Sequence, residues 1–434
     1  MKQWGLAPRA AVVAVALVLA GVLAGASQAK SSSSKSMQAK FQSLAPPHIG
    51  GAKGRLLNGM KRLNGPMSLF SQGIPGLDSI SNWDDQFTAS GFGPTGLPQT
   101  VWPLNTVGDR PSTRGTTNFN APIIPVIVSL RDANGDQAFG PNGQPLIENP
   151  VDHVQAVLHS PVFQRSTYTS SPIPTQFTDA IQRAEYFGQE QRNWHTELSP
   201  SIKAPLELDV PFGSWVVDFN TDGSIHLVRI NENAFIAGMF PPTFPVDNST
   251  VLGQAELNGD ITPQDISTFQ FQDTVLFEGT PSNCCVVGFH TFDFEPGATA
   301  NAEPRAYVMN FNSWTTPGIF RNGVADITAL SHEMSETFND PFVDAFGNNF
   351  TPWWLAPNGL CQDNRETGDV IEQLPDQIFP ITMHGFTYHP QNEALNQYFE
   401  FQQPPSDAID GAFSYPDESV LSGPSAPQNF RCRP

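Results

Sequence analysis

From about residue 118 the chain carries short apolar runs of strand character, interrupted by a few stretches of helical spacing. Residues 121–130 form an apolar run rich in β-branched residues, which reads as a buried strand. Residues 215–219 and 225–230 alternate about Asn220-Thr221-Asp222-Gly223, a hairpin signal, and 275–277, 285–292 and 306–311 read as further strands. Helical spacing occurs at 152–159, at 176–187 through Phe177, Ile181, Ala184 and Phe187, and more briefly at 392–401. The most regular helix runs between Asp326, a candidate cap, and Asn339-Asp340-Pro341, which stops it. Ile327, Leu330, Met334 and Phe338 line one side of it. Strands preceding such a helix predict an α+β fold, a mixed sheet packed against the helix, with loop-rich elements closing the C-terminal side.

The start of the chain has a different texture. Lys2 and Arg9 precede an apolar run at 10–24 that ends in small residues, and residues 1–29 therefore read as a signal peptide. Residues 30–117, rich in Ser, Gly and Pro, read as a low-complexity leader, largely disordered, ahead of a folded domain at 118–434. No later apolar run is long enough to span a bilayer. The expectation is a secreted protein, extracellular or periplasmic, free of the membrane after signal cleavage and monomeric. A formal charge of −20, from 22 basic and 42 acidic residues, argues against nucleic acid as a partner. Forty prolines, 35 glycines and 32 phenylalanines point to a loop-rich protein with an aromatic core.

Four cysteines stand at 284, 285, 361 and 432. A ring between adjacent Cys284 and Cys285 is strained, so each, if oxidised, is expected to reach Cys361 or Cys432; a single bridge or buried thiols are the alternatives.

The candidate chemistry lies on the regular helix, in His332-Glu333-Met334-Ser335-Glu336. Residues four apart on a helix stand one above the other, so His332 and Glu336 can grip one cation while Glu333 addresses a water beside it. A third ligand must come from elsewhere, and the acidic segment 361–369 supplies Glu366, with Asp369 placed to orient the free ring nitrogen of His332. Tyr388 and His389 are candidate donors to a developing oxyanion. His290 could face the site, but a lone histidine beside a strand is more often packed or hydrogen-bonded, and it is left out of the metal set. The run Asp132-Ala133-Asn134-Gly135-Asp136 hints at a calcium loop but lacks the turn glycine and the closing glutamate.

The run 329–341, with Thr351-Pro352-Trp353, Cys361-Gln362 and Glu366-Thr367-Gly368-Asp369, resembles a group of secreted bacterial proteins with zincin-like domains. It is similar, more distantly, to the plant phosphate-induced, EXORDIUM-like proteins and to the gluzincins. Upstream, 160–164, 179–186 and 284–290 extend the resemblance to the bacterial group, which spans roughly 118–400. It implies a zincin-like catalytic domain and a zinc metallopeptidase acting on peptide or extracellular protein. Zinc is then held by His332, Glu336 and Glu366, with Glu333 as general base, Asp369 as a supporting carboxylate and Asp340 matching a helix-end aspartate. The other class left open is a non-catalytic secreted binding or cell-surface protein on the same scaffold. The sequence departs from the gluzincin pattern in its Glu336, where the second histidine is usual, and in the spacing of Glu366 and Asp369.

Overall fold

The structure, a computed structural model, describes residues 76–424 apart from 94–95, 191, 242–244, 297–302, 321–322 and 344–348. The signal segment 1–29, residues 30–75 of the leader and Cys432 lie outside the described residues.

The protein is a strand-rich mixed α/β structure built on one long strand. The chain enters through β1 (Asn82–Phe92) and β2 (Pro98–Val107), an antiparallel hairpin, and continues into β3 (Gly115–Leu130). Next come β4 (Ile147–Glu148), α1 (Val154–Leu158), the small hairpin β5 (Ser166–Tyr168) and β6 (Ser171–Thr175), and α2 (Phe177–Glu185). They are followed by β7 (Trp194–Ile202), β8 (Leu206–Val210), β9 (Trp215–Phe219), β10 (Ile225–Asn231), α3 (Glu232–Met239) and α4 (Val251–Asn258). Then come β11 (Ile266–Gln272), β12 (Thr274–Phe277), β13 (Cys284–Val286), β14 (Gly288–Glu295), β15 (Arg305–Trp314), α5 (Thr328–Asn339), β16 (Phe350–Leu355) and β17 (Cys361–Asn364).

The main sheet has the order β14-β15-β11-β3-β4, with β7 and β8 also paired to β3. β3 runs parallel to β7, β8 and β11, and β11 parallel to β15; β14 is antiparallel to β15 at the end of the order. Alternation along each strand sends side chains to two cores. Ile124, Val126 and Val128 of β3, with Phe269, Met309 and Phe311, face a layer formed by Phe235 and Met239 of α3 and Leu252 of α4. Phe119, Ala121 and Ile123 of β3, with Ile266 and Val308, face Leu330, Met334 and Phe338 of α5. The apolar stripe read from the sequence is the side of α5 that packs on the sheet.

Three expectations are corrected. The leader boundary moves, because the described part of 30–117 is folded: Trp83 and Trp102 of the hairpin are buried, Trp102 stacks on Phe87 with ring centroids 6.4 Å apart, and its indole N–H donates to Ala89 O. The single strand expected at 285–292 is two, β13 in a four-stranded sheet with β12, β10 and β9, and β14 in the main sheet, with the step at Val287. Cys284 and Cys285 are in disulfide-like contact with one another instead of reaching distant partners. Both lie on the short strand β13, Cys285 packed among Val275, Val287, Val324 and Ala329. Cys361 is disulfide-bonded as well. Among the described residues no helix is long and apolar enough to cross a membrane. Asp132 closes a local turn, its Oδ1 accepting the amides of Asn134 and Asp136.

Candidate metal centre

Every residue of α5 is buried, so its polar face must be satisfied by protein groups or by something the protein holds. That face carries His332, Glu333 and Glu336, one helical turn deep. Three elements close over it. β14 presents Gly288 and His290, two residues apart and therefore on the same side of the strand. The helix end contributes Asp340, and the loop after β17 contributes Glu366, Gly368 and Asp369.

His332 Nε2 lies 3.1 Å from Glu336 Oε1, without the alignment of a hydrogen bond, and Asp369 completes a group of potential ligand atoms all within 4.8 Å of one another. The other oxygen, Glu336 Oε2, lies 3.6 Å from His290 Nδ1, which is also 3.5 Å from Glu333 Oε2. On its far side His290 Nε2 donates to the Asp340 carbonyl oxygen at 3.1 Å and lies 3.8 Å from Glu366 Oε2; His290 groups with Glu333 and Glu336 and also with Asp340 and Glu366. The amides of Gly368 and Asp369 donate to Glu336 Oε1 at 3.0 and 3.3 Å, fixing that carboxylate.

Two glycines make the closeness possible. A Cβ at 368 would fall 2.6 Å from Cε1 and 2.7 Å from Cγ of His332, and a Cβ at 288 would fall 3.0 Å from Cγ and Oε1 of Glu333. The loop and the edge strand therefore press on the helix at the two residues that matter chemically.

Burial here leaves an unusual number of polar atoms without hydrogen bonds. They are both ring nitrogens of His332, Nδ1 of His290, both oxygens of Glu333 and of Glu366, Glu336 Oε2 and Asp369 Oδ1. Buried polar groups in a native fold normally find partners, and a carboxylate that finds none costs several kcal/mol. Among these atoms are ones from His332, His290, Glu333, Glu336, Glu366 and Asp369, residues that group closely enough to be able to hold a metal ion.

The electrostatics of the protein groups alone point the same way. Burial, then the charges of Glu336 and Asp369, drive Glu333 well above its ordinary 4.5. Burial and the neighbouring carboxylates Glu336 and Asp340 do the same to Glu366, and burial with Glu336 raises Asp369 against the pull of His332. Burial also works against the Glu336 carboxylate, but His332 and His290 outweigh it and hold the group down at about 2. Burial disfavours the charged His332 ring, and Glu336 more than restores it, so the ring is raised above 6.5. One protein cation is buried in the surrounding shell: Arg365 donates to Thr106 Oγ1, Asn339 Oδ1 and Asn349 Oδ1, joining the hairpin, the end of α5 and the 349–366 segment.

The sequence-predicted residues divide accordingly. His332, Glu333, Glu336, Asp340, Glu366 and Asp369 are brought together, but Asp369 stands with His332 and Glu336, where Glu366 was expected, and Glu366 stands with Asp340 and His290. With the Gly368 amide bound to Glu336 Oε1, the next residue, Asp369, comes to His332, while Glu366, two residues earlier, comes to His290. His290, set aside in the sequence, is central, with a fully buried side chain.

Tyr388 and His389 are elsewhere. The Tyr388 hydroxyl donates to Ala156 O at 2.9 Å within the core under α5, and the His389 ring lies 2.6 Å from Asp326 Oδ2. Asp326 does not cap α5 from the N-cap position, which Ile327 occupies; its carboxylate takes the Ile327 and His389 amides. A further acidic group, Asp179, His195 and Glu197, is already satisfied: Asp179 accepts from His195 and from the Thr196 amide, and Glu197 pairs with Arg165.

No family model, curated protein or solved structure matches the chain.

Proposed function

We propose that this protein is a secreted, metal-dependent hydrolase of peptide bonds, a zinc metallopeptidase on a zincin-like scaffold. The observation that carries the reading is the set of unpartnered histidine nitrogens and carboxylate oxygens collected around the H-E-x-x-E helix. One imidazole and two carboxylates fit a divalent cation, and the donor types admit zinc, manganese or iron. His332, Glu336 and Asp369 would hold it, and when bound it would supply Lewis acidity toward a carbonyl and a lowered pKa for water.

The chain's own residues do the rest. Glu333, adjacent to the ligand His332 and raised in pKa by burial, has both the position and the proton affinity to accept a proton from water and return it to a leaving amine. The Gly368 and Asp369 amides hold Glu336 in one orientation, and Gly288 lets β14 approach Glu333 without displacing it. An acidic chain of charge −20 is in keeping with a protein that does not bind nucleic acid.

A second reading is favoured by one observation: His332, Glu333, Glu336 and His290 have no exposed surface. In that reading the metal is structural and the protein is a secreted binding module without turnover. The deciding experiment measures zinc content and peptide cleavage for the purified wild type and Glu333→Gln. Cleavage that falls roughly a hundred- to ten-thousand-fold in the variant, with zinc retained, is expected. Zinc without cleavage in either protein would favour the structural reading, and no metal even after reconstitution would sink both.

A further inference from the structure

We infer that Asn349 is a positioning residue for the metal centre, holding Glu336 from two directions and making the N-terminal hairpin part of the site. The inference rests on the reading of the cluster as a metal centre and deepens it. Asn349 is 1% exposed, and its backbone stands in the left-handed region at φ 64°, which asparagine tolerates better than most residues. Its amide N–H donates to Pro103 O at 2.9 Å, and its Oδ1 accepts the Asn105 amide at 2.9 Å. Both partners are backbone groups of β2, and the side-chain oxygen stands in for the carbonyl that a neighbouring strand would supply.

From this anchor two lines reach Glu336. The first runs through the loop after β17. The Asn349 carbonyl accepts the Arg365 amide at 2.8 Å, and Oδ1 accepts Arg365 Nη1 at 3.1 Å. Arg365 is thereby fixed three residues before Gly368, whose amide, with that of Asp369, donates to Glu336 Oε1. The second line runs through the end of α5. Asn349 Nδ2 donates to Asp340 Oδ1 at 2.9 Å, and the Asp340 carbonyl accepts the Nε2–H of His290 at 3.1 Å. That bond leaves the other ring nitrogen, Nδ1, 3.6 Å from Glu336 Oε2 and 3.5 Å from Glu333 Oε2. The hydrogen bonds of Asn349 end on Asp340, Arg365 and the hairpin, so it acts on the ligands through them. Glycine at 349 would keep the backbone conformation and lose every side-chain bond. Aspartate would keep an acceptor for Asn105 and Arg365 but set an oxygen against Asp340 Oδ1 where the N–H now stands.

The test compares the mature full chain as wild type, Asn349→Gly and Asn349→Asp. Three readouts are taken: the thermal melt, zinc affinity in competition with a chelator, and the visible absorption of the cobalt-substituted protein. Asn349→Asp should melt close to the wild type, because it retains the acceptor that ties Arg365 to the hairpin. Zinc affinity should fall about tenfold or more in both variants, and the cobalt spectrum, which reports ligand geometry, should change in both. Lowered melting with zinc affinity and cobalt spectrum unchanged would overturn the inference, reduce Asn349 to a structural tie and leave the proposed function standing. If Asn349→Gly does not fold, Asn349→Asp decides on the same terms. A wild type that binds neither zinc nor cobalt would remove the basis of both.

Discussion

The backbone of Gly368 packs against the imidazole of His332, so close that a Cβ there would stand 2.6 Å from ring carbon Cε1. The same residue's amide holds Glu336 Oε1 at 3.0 Å, so one glycine positions both helix-borne ligands. A methyl group at 368 must displace the ring or the loop, and Gly368→Ala should weaken zinc binding about ten- to a hundredfold. Competition against a chelator measures this. An unchanged affinity would mean that the contact has no part in holding the metal.

The metal-free protein should lose stability as pH rises. Glu333, Glu366 and Asp369 keep their protons in the fold above the range where the unfolded chain releases them, near 4.5 for the glutamates and 3.8 for the aspartate. The native state then binds more protons than the unfolded one, and stability falls with pH across that interval. His332 acts in the same direction: its contribution is complete below 6.5 and is lost as pH rises through its raised folded value. Glu336 opposes them, contributing above 4.5 and losing that contribution as pH falls toward about 2. Chelator-treated protein should therefore melt higher at about pH 5 than at about pH 8, and added zinc should reverse the order. Identical pH profiles with and without chelator would contradict the proposed metal centre.

Tyr388→Phe separates a packing role from a catalytic one. Its hydroxyl donates to Ala156 O, so the substitution should cost about 0.5–1.5 kcal/mol in urea unfolding and leave turnover unaffected. A donor to an oxyanion would instead cost roughly a hundred- to a thousandfold in turnover. Steady-state rates on one peptide substrate distinguish the two.

Trp102→Ala tests the hairpin. A fully buried tryptophan stacked on Phe87 should cost about 3–5 kcal/mol when truncated, read as a lowered denaturant midpoint. A midpoint that does not move would mean that 82–107 is dispensable, as a leader would be.

Much of the centre was legible because its chemistry is local. His332, Glu333 and Glu336 follow from helical spacing, and the stripe from Ile327 to Phe338 packs on the sheet that the earlier apolar runs predicted. Glu366 and Asp369 were found as a cluster, but which of them meets His332 depends on the turn that delivers the Gly368 amide to Glu336, and loop direction leaves no periodicity to read. His290 was weighed and set aside because strand pairing brings it to the helix from 42 positions earlier; the signal was Gly288 two residues before it, a missing side chain on the same face of the strand. The hairpin was missed for a similar reason: Phe87 and Ala89 alternate against Trp102 and Leu104, but polar residues between them dilute the pattern, and pairing with each other makes it visible.

The long strand β3 sets the order in which the molecule can form. All of its parallel partners come later in the chain, β7 and β8 and then β11, and the edge strand β14 that carries His290 joins only through β15. Loop closures of this length cost entropy before any contact repays it, so folding should be slow and late to commit. Until residues beyond 260 arrive, residues 123–125 of β3 lack their β11 partner, and it is at that edge that a stalled chain would associate with its copies.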